Sequence, residues 1–162
     1  MIAYADQVPV HRFKKRTRVV IAHNNHDVLH DLEIGLSRSG FSVFAADSGI
    51  ACVTKLEVFA PEILLVDVDL KWGGCDGVLA TVETSKKLSK TRVIVLASDR
   101  ELSNFQAIRN FTVCDILLLP LPMETITERC IVWSEDCLDA EGKESVQSLK
   151  TDRVRQRGGM HL

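Results

Sequence analysis

Five short apolar runs alternate along this chain with five longer stretches of helical periodicity. The apolar runs cover residues 19–22, 41–46, 63–68, 93–97 and 114–119, and the periodic stretches cover residues 27–38, 50–59, 78–88, 101–110 and 123–133. Such runs are typical of buried strands, and such periodicity is typical of surface helices. Strict alternation with short connections predicts an α/β fold, with a parallel five-stranded sheet and helices on both faces.

Length, charge and cysteine content narrow the class of protein. A chain of 162 residues favours one domain, and a formal net charge of -2 predicts no general attraction to nucleic acid or anionic membranes. The five cysteines include no CxxC pair, which indicates a reducing compartment without a disulfide framework. No apolar run is long enough for a membrane span or a signal peptide, so we expect a cytoplasmic protein.

The pattern divides the chain into three segments. Residues 1–16 form a basic lead-in, residues 17–134 contain all the alternating units, and residues 135–162 form a polar tail. The basic cluster near residue 16 is short, which favours a solvated lead-in over an arm that binds nucleic acid.

The third apolar run ends in a carboxylate, Asp67, and a glycine-containing loop follows before the next helical pattern. Open α/β sheets place their binding sites at the carboxyl ends of the strands. The stretch from Pro61 to Gly77 is therefore the first candidate for a functional site.

This stretch resembles the receiver domain of two-component response regulators, the CheY-like family. The resemblance covers roughly residues 17–134 and depends most on PEILLVDVDL followed by Asp76-Gly77, with support from Ser48-Gly49 and Leu119-Pro120. It implies a doubly wound (βα)5 flavodoxin-like sandwich with strand order 2-1-3-4-5. It also implies that Asp67 is the phospho-acceptor and that the peptide bond before Pro120 is cis.

Several positions depart from the family pattern. Two acidic residues that hold Mg²⁺ in the family are replaced by His23 and Asn24. The family's threonine or serine, its aromatic switch residue and its lysine fall on Ala97, Ile116 and Leu119. Without these groups the repulsion between a carboxylate and a phosphoryl group is poorly offset, so the phosphorylation site is interpreted as degenerate and no cofactor is expected.

The loop after the acceptor strand is about two residues longer than the family pattern implies, and we expect it to form a functional surface. It contains Asp69 and the run Trp72-Gly73-Gly74. Asp69 lies at the usual distance from Gly77, so it is an alternative acceptor, although the length of the apolar run favours Asp67. Trp72 is either an exposed contact residue or a ring folded over the loop.

The sequence therefore predicts a stand-alone, non-enzymatic signalling module that acts through protein–protein contacts, with a histidine kinase, an output protein or itself. One alternative is a working response regulator that receives a phosphoryl group on Asp67 from a histidine kinase, with Mg²⁺. Another is a flavodoxin-like domain that binds a metal or small ligand, with His23, His26 and His30 as candidate metal ligands.

Overall fold

The computed structural model describes residues 15–98 and 105–139, which contain a parallel five-stranded sheet. The strands are β1 (Arg18–Ala22), β2 (Ser42–Ala46), β3 (Ile63–Asp67), β4 (Arg92–Ser98) and β5 (Asp115–Leu119). They lie in the order β2-β1-β3-β4-β5, which confirms the predicted fold class. The predicted lead-in up to residue 14, the tail from residue 140 and the predicted helical residues 101–104 lie outside the described residues.

Helices cover both faces of the sheet. They are α1 (His26–Arg38), α2 (Gly49–Phe59), α3 (Cys75–Thr84), α4 (Phe105–Ile108) and α5 (Met123–Asp139), with a 3-10 turn at Lys86–Leu88. The side chains of Asn25 and Ser48 cap α1 and α2 by accepting hydrogen bonds from backbone N–H groups of the first turn. Within the described ranges, no helix is both long and apolar enough to cross a membrane.

The core has two layers because successive strand residues point to opposite faces of the sheet. On one face, Val20 and Leu64 pack with residues of α2 and α3. On the other face, Val19 and Leu65 pack with residues of α1 and α5. All five residues of β3 are buried, so packing on both faces holds this central strand in place. Its last residue, Asp67, therefore has a fixed position at the carboxyl ends of the strands.

Helices α3 and α5 differ by several residues from the predicted ranges, and α4 ends at Ile108, two residues before its predicted end. Helix α3 begins at Cys75 and ends at Thr84, because Ser85 adopts an extended conformation (φ -90°, ψ 119°). Leu88 belongs to the separate 3-10 turn but is buried, and its burial produced the longer helical pattern in the sequence. Helix α5 runs to Asp139, so the domain boundary predicted after residue 134 falls inside a helix.

Candidate functional site

A cavity of about 840 Å³ lies at the carboxyl ends of the strands, between α1 and α5. It brings together most of the positions singled out in the sequence: Asp67, Asp69, His23, Asn24, Ala97, Leu119 and Pro120. Ile116 is not among its lining residues; it lies on β5 with 44% of its surface exposed. The Leu119–Pro120 peptide bond is cis, the isomer expected from the resemblance.

Asp67 is the buried carboxylate of this cavity, with only 5% of the residue exposed. Its Oδ1 accepts a hydrogen bond from the backbone N–H of Asp69 at 3.0 Å. Its Oδ2 lies 3.6 Å from His23 Nε2, which is beyond hydrogen-bond distance. Asp69, the alternative acceptor, is exposed on the loop after the strand.

The orientation of the His23 ring follows from its other nitrogen. His23 Nδ1 accepts a hydrogen bond from the backbone N–H of Asn25 at 3.0 Å. Because an accepting nitrogen carries no proton, the imidazole proton lies on Nε2, which faces Asp67. The two side chains are 14% and 7% exposed, so their approach takes place largely out of water.

Asn24 has a role that the sequence did not reveal. Its Nδ2 donates to the backbone carbonyl of Asp69 at 2.6 Å, and its Oδ1 accepts from the backbone N–H of Lys71 at 2.8 Å. Both ends of one amide are therefore used to hold the loop that follows β3. We call residues 68–74 the β3–α3 loop.

The β3–α3 loop is also fastened to the first turn of α2. The carbonyl groups of Lys71 and Trp72 accept hydrogen bonds from the backbone N–H groups of Gly49 and Ile50, at 3.0 and 2.9 Å. A Cβ atom at Gly49 would lie 2.8 Å from the carbonyl oxygen of Trp72, so only glycine allows this approach. The first two N–H groups of α2, those of Gly49 and Ile50, are thus satisfied by the loop.

Trp72 projects from this loop into solvent. It is 77% exposed and has a φ of 54°, a left-handed conformation that is uncommon for a bulky residue. Gly73 and Gly74 follow it with φ values of 111° and 67°. Of the two predicted placements for Trp72, the structure has the exposed one. Ile50, which is 67% exposed, lines a second groove of about 630 Å³ together with Trp72.

The opposite side of the Asp67 cavity is aliphatic. Leu119 stands where the resemblance implies a lysine, and Ala97 on β4 is buried. Helices α1 and α5 and the segment after β5 supply further apolar lining: Val28, Leu32, Leu121, Met123 and Ile126. None of these five was predicted as a site residue, because their apolar side chains are equally typical of a core.

The donor set around Asp67 does not fit Mg²⁺, which prefers several carboxylate or carbonyl oxygens in an octahedron. Asn24 is occupied at both ends by the loop, and His23 offers only nitrogen. The histidine metal site also lacks support, because His23 lines the Asp67 cavity whereas His26 lines the second groove. Across residues 15–98 and 105–139, no three His, Cys, Asp or Glu side chains cluster closely enough to hold a metal ion.

Three buried cysteine thiols, on helices α2, α3 and α5, are expected to be unreactive. Burial raises the pKa of Cys52, Cys75 and Cys130 to about 12, and for Cys75 the nearby charges of Asp67 and Asp76 add to the effect. A thiol with such a pKa is almost entirely protonated at neutral pH and is a poor nucleophile.

Comparison with known proteins relates the chain to one group of solved structures. The chemotaxis response regulator CheY4 of Vibrio cholerae superimposes with a TM-score of 0.66 at 14% identity, over 73% of this chain and 98% of that one. A CheY-like response regulator receiver domain protein from Methanospirillum hungatei gives 0.68 at 17% identity, over 78% and 99%. The REC domain of AraT, a response regulator from Geobacillus stearothermophilus, gives 0.66 at 21% identity, over 78% and 98%.

No protein-family model matches the sequence. No curated protein matches it either. The chain therefore has the fold of CheY-like receiver domains, at sequence identities that establish the fold alone.

Proposed function

We propose that this protein is a receiver-like signalling module that is not an enzyme and acts by binding a partner protein, with little or no dependence on phosphorylation of Asp67. The receiver fold supports the general class. One observation carries the finer statement: Asn24, at a position where the family has a metal-binding carboxylate, has both ends of its amide engaged in holding the β3–α3 loop.

The chemistry around Asp67 supports the same proposal. A phosphoryl group on this carboxylate would bring negative charges to roughly 4 Å, where each pair of unit charges repels by about 4 kcal/mol at an effective dielectric of about 20. Leu119 and Ala97 supply neither a positive charge nor a hydrogen bond to offset that repulsion. No cofactor, Mg²⁺ included, belongs to this function.

The exposed loop supplies a contact surface for a partner. Trp72 and Ile50 expose 77% and 67% of their surfaces beside the groove that Asp47 and His26 also line. Exposed aromatic side chains beside a polar rim are typical of binding hot spots. Ile116 and Leu118, each 44% exposed on β5, form a separate apolar surface that suits self-association.

A second candidate function is a working phospho-acceptor that receives its phosphoryl group from a histidine kinase. It is favoured by the position of Asp67 at the end of β3, where its carboxylate lines an open cavity. Lys71, which lines the same cavity, supplies one positive charge.

Incubation with acetyl phosphate and Mg²⁺, followed by intact-mass measurement, separates the two functions. We expect the mass to stay unchanged, while a receiver domain that accepts from the same donor is labelled in parallel. Stoichiometric gain of one phosphoryl group, abolished by Asp67→Asn and retained in Asp69→Asn, would overturn the proposal in favour of the second candidate.

A further inference from the structure

The cavity beside Asp67 has the size and lining of a small-molecule site. Its volume of about 840 Å³ falls within the range of about 300 to 1,000 Å³ that is usual for ligand pockets. Most of its lining area is apolar, and the polar residues that line it include Asp67, His23 and Lys71. This combination fixes both the position and the orientation of a bound molecule.

Asp67 supplies the polar anchor. Only 5% of Asp67 is exposed. Of its two carboxylate oxygens, only Oδ1 accepts a hydrogen bond. Among residues 15–98 and 105–139, no donor reaches its Oδ2, and His23 Nε2 remains at 3.6 Å. Oδ2 belongs to a side chain that lines the cavity, and it keeps an acceptor site that a ligand N–H group can use.

The charge of the lining selects the sign of the ligand. Among the described residues that line the cavity, the carboxylates of Asp31 and Asp67 outnumber the single ammonium group, on Lys71. This balance repels anions and attracts cations. Leu119 stands where the resemblance implies a lysine, so it contributes apolar surface and no positive charge.

The apolar side determines the body of the ligand. Leu119, Met123 and Ile126 line the cavity together with Val28 and Leu32 of α1. Transfer of an alkyl or aryl group from water onto this surface is favourable in proportion to the area covered. A fully hydrated metal ion or a bare phosphate would leave that surface unused.

We propose that this cavity binds a small organic cation, an amine whose ammonium group donates to Asp67 and whose apolar body lies against Leu119, Met123 and Ile126. Alkylamines are protonated at neutral pH because their pKa lies near about 10. This binding goes beyond the partner interaction proposed above, and its test contains no partner protein, so either proposal can fail alone.

Three probes with the same alkyl chain test the proposal: hexylammonium, hexanoate and hexan-1-ol, each titrated into the full chain and followed by amide NMR shifts. We expect hexylammonium to bind about tenfold to a hundredfold more tightly than hexanoate, since a hydrogen bond to a charged group is gained. The largest shifts should be at Asp67 and Leu119. Equal affinity for the ammonium and the carboxylate, or binding by neither, would overturn the proposal.

Matched variants locate the binding. Asp67→Asn should weaken hexylammonium about tenfold or more and leave hexan-1-ol nearly unchanged. Asp47→Asn removes the same charge from an exposed residue outside this cavity and should change neither. Leu119→Lys should abolish hexylammonium binding, and its folding is checked by the dispersion of its amide spectrum. Equal effects of Asp67→Asn and Asp47→Asn would show that net charge, and not this site, governs binding.

Discussion

Strands β1 and β3 are joined by an acid–base pair at each end, and the two pairs differ in an instructive way. At the amino ends, Arg18 and Glu62 are 30% and 28% exposed in their side chains. At the carboxyl ends, His23 and Asp67 are 14% and 7% exposed. Burial makes unsatisfied polar groups more costly, so the second pair would be expected to be the better bonded.

The opposite is found. Glu62 Oε2 accepts from the backbone N–H and Nε of Arg18 at 2.7 and 3.3 Å, and Oε1 accepts from a terminal guanidinium nitrogen at 3.0 Å. The His23–Asp67 contact is 3.6 Å long and contains no hydrogen bond. At the amino ends of the strands, the two side chains bond to each other. At the carboxyl ends, the Asp67 carboxylate keeps an acceptor that the protein does not use, as is common in sites that bind ligands.

The first test of this comparison weakens the close contact between Gly49 of α2 and the β3–α3 loop, at the carboxyl ends of the strands. We expect Gly49→Ala to lower the free energy of unfolding by about 2 to 3 kcal/mol, because the added Cβ overlaps backbone atoms of the β3–α3 loop that cannot turn aside. The Cβ would lie 2.8 to 3.0 Å from atoms of Trp72, Gly73 and Gly74. Urea unfolding followed by circular dichroism measures the loss.

Gly77→Ala is the matched control for that change. Gly77 lies inside α3, and a Cβ there would meet no atom within 4 Å. Helix propensity alone should make this variant more stable by up to about 1 kcal/mol. A Gly49→Ala protein as stable as the wild type would mean that the loop is not fixed to α2 as described.

The second change removes the other fastening of the loop. Asn24→Ala deletes both hydrogen bonds to the backbone of Asp69 and Lys71 and should cost about 1 to 2 kcal/mol of unfolding free energy. Asn24→Asp retains the acceptor for Lys71 but cannot donate to Asp69, so its cost should be intermediate. Urea unfolding of the three proteins gives the order; a fully stable Asn24→Asp variant would indicate that the residue is free to serve a metal site.

The third change tests the closed amino end. Glu62→Gln should cost about 0.5 to 1 kcal/mol at neutral pH, the upper part of the range for partly exposed ion pairs. Burial raises the pKa of Glu62, but the hydrogen bonds from Arg18 outweigh it, and the pKa is lowered from 4.5. A lowered folded-state pKa stabilises the protein above pH 4.5, and this contribution is lost as the pH falls through the folded value.

The pH profile therefore distinguishes the Glu62 pair from a general charge effect. The difference in unfolding free energy between wild type and Glu62→Gln should be constant near neutral pH and shrink on acidification below pH 4.5. Glu57→Gln, at an exposed position on α2, should show neither the loss nor the pH dependence. A difference that grew on acidification would contradict the assigned sign.

Part of the fold and of the candidate site could be predicted from the sequence, and part could not. The sheet could be predicted because β3 is apolar on both faces, a pattern with few other interpretations. The enlarged loop around Trp72 was predicted from its length and its paired glycines, whereas the placement of the Trp72 side chain was left open. The role of Asn24 was not, because its partners lie 45 and 47 residues away and depend on the path of an enlarged loop.

The lack of a hydrogen bond between His23 and Asp67 at the carboxyl ends of the strands could not be predicted from the sequence either. His23 and Asp67 could be placed on adjacent strands by the predicted topology. The 3.6 Å gap between them depends on a backbone hydrogen bond from Asn25 that orients the imidazole ring. The left-handed conformation of Trp72 was equally hidden, since glycine and not tryptophan is the residue expected there.

The smallest expected effect is at Asp67, a carboxylate residue that is only 5% exposed. Asp67→Asn should change the free energy of unfolding by no more than about 0.5 kcal/mol, because an asparagine oxygen can still accept from Asp69 N–H and a buried charge is removed. Urea unfolding at neutral pH measures it. A double-mutant cycle with His23→Gln should give a coupling energy close to zero, because no hydrogen bond joins the pair.

The order of the two carboxylate variants is the sharpest test of the comparison. If Glu62→Gln costs more than Asp67→Asn, the more exposed pair stabilises the fold and the buried one is held ready for another partner. If Asp67→Asn costs more and couples to His23, the two side chains form a structural ion pair despite their 3.6 Å separation. The carboxyl end would then be as closed as the amino end, and both the open cavity and its proposed amine ligand would lose their physical basis.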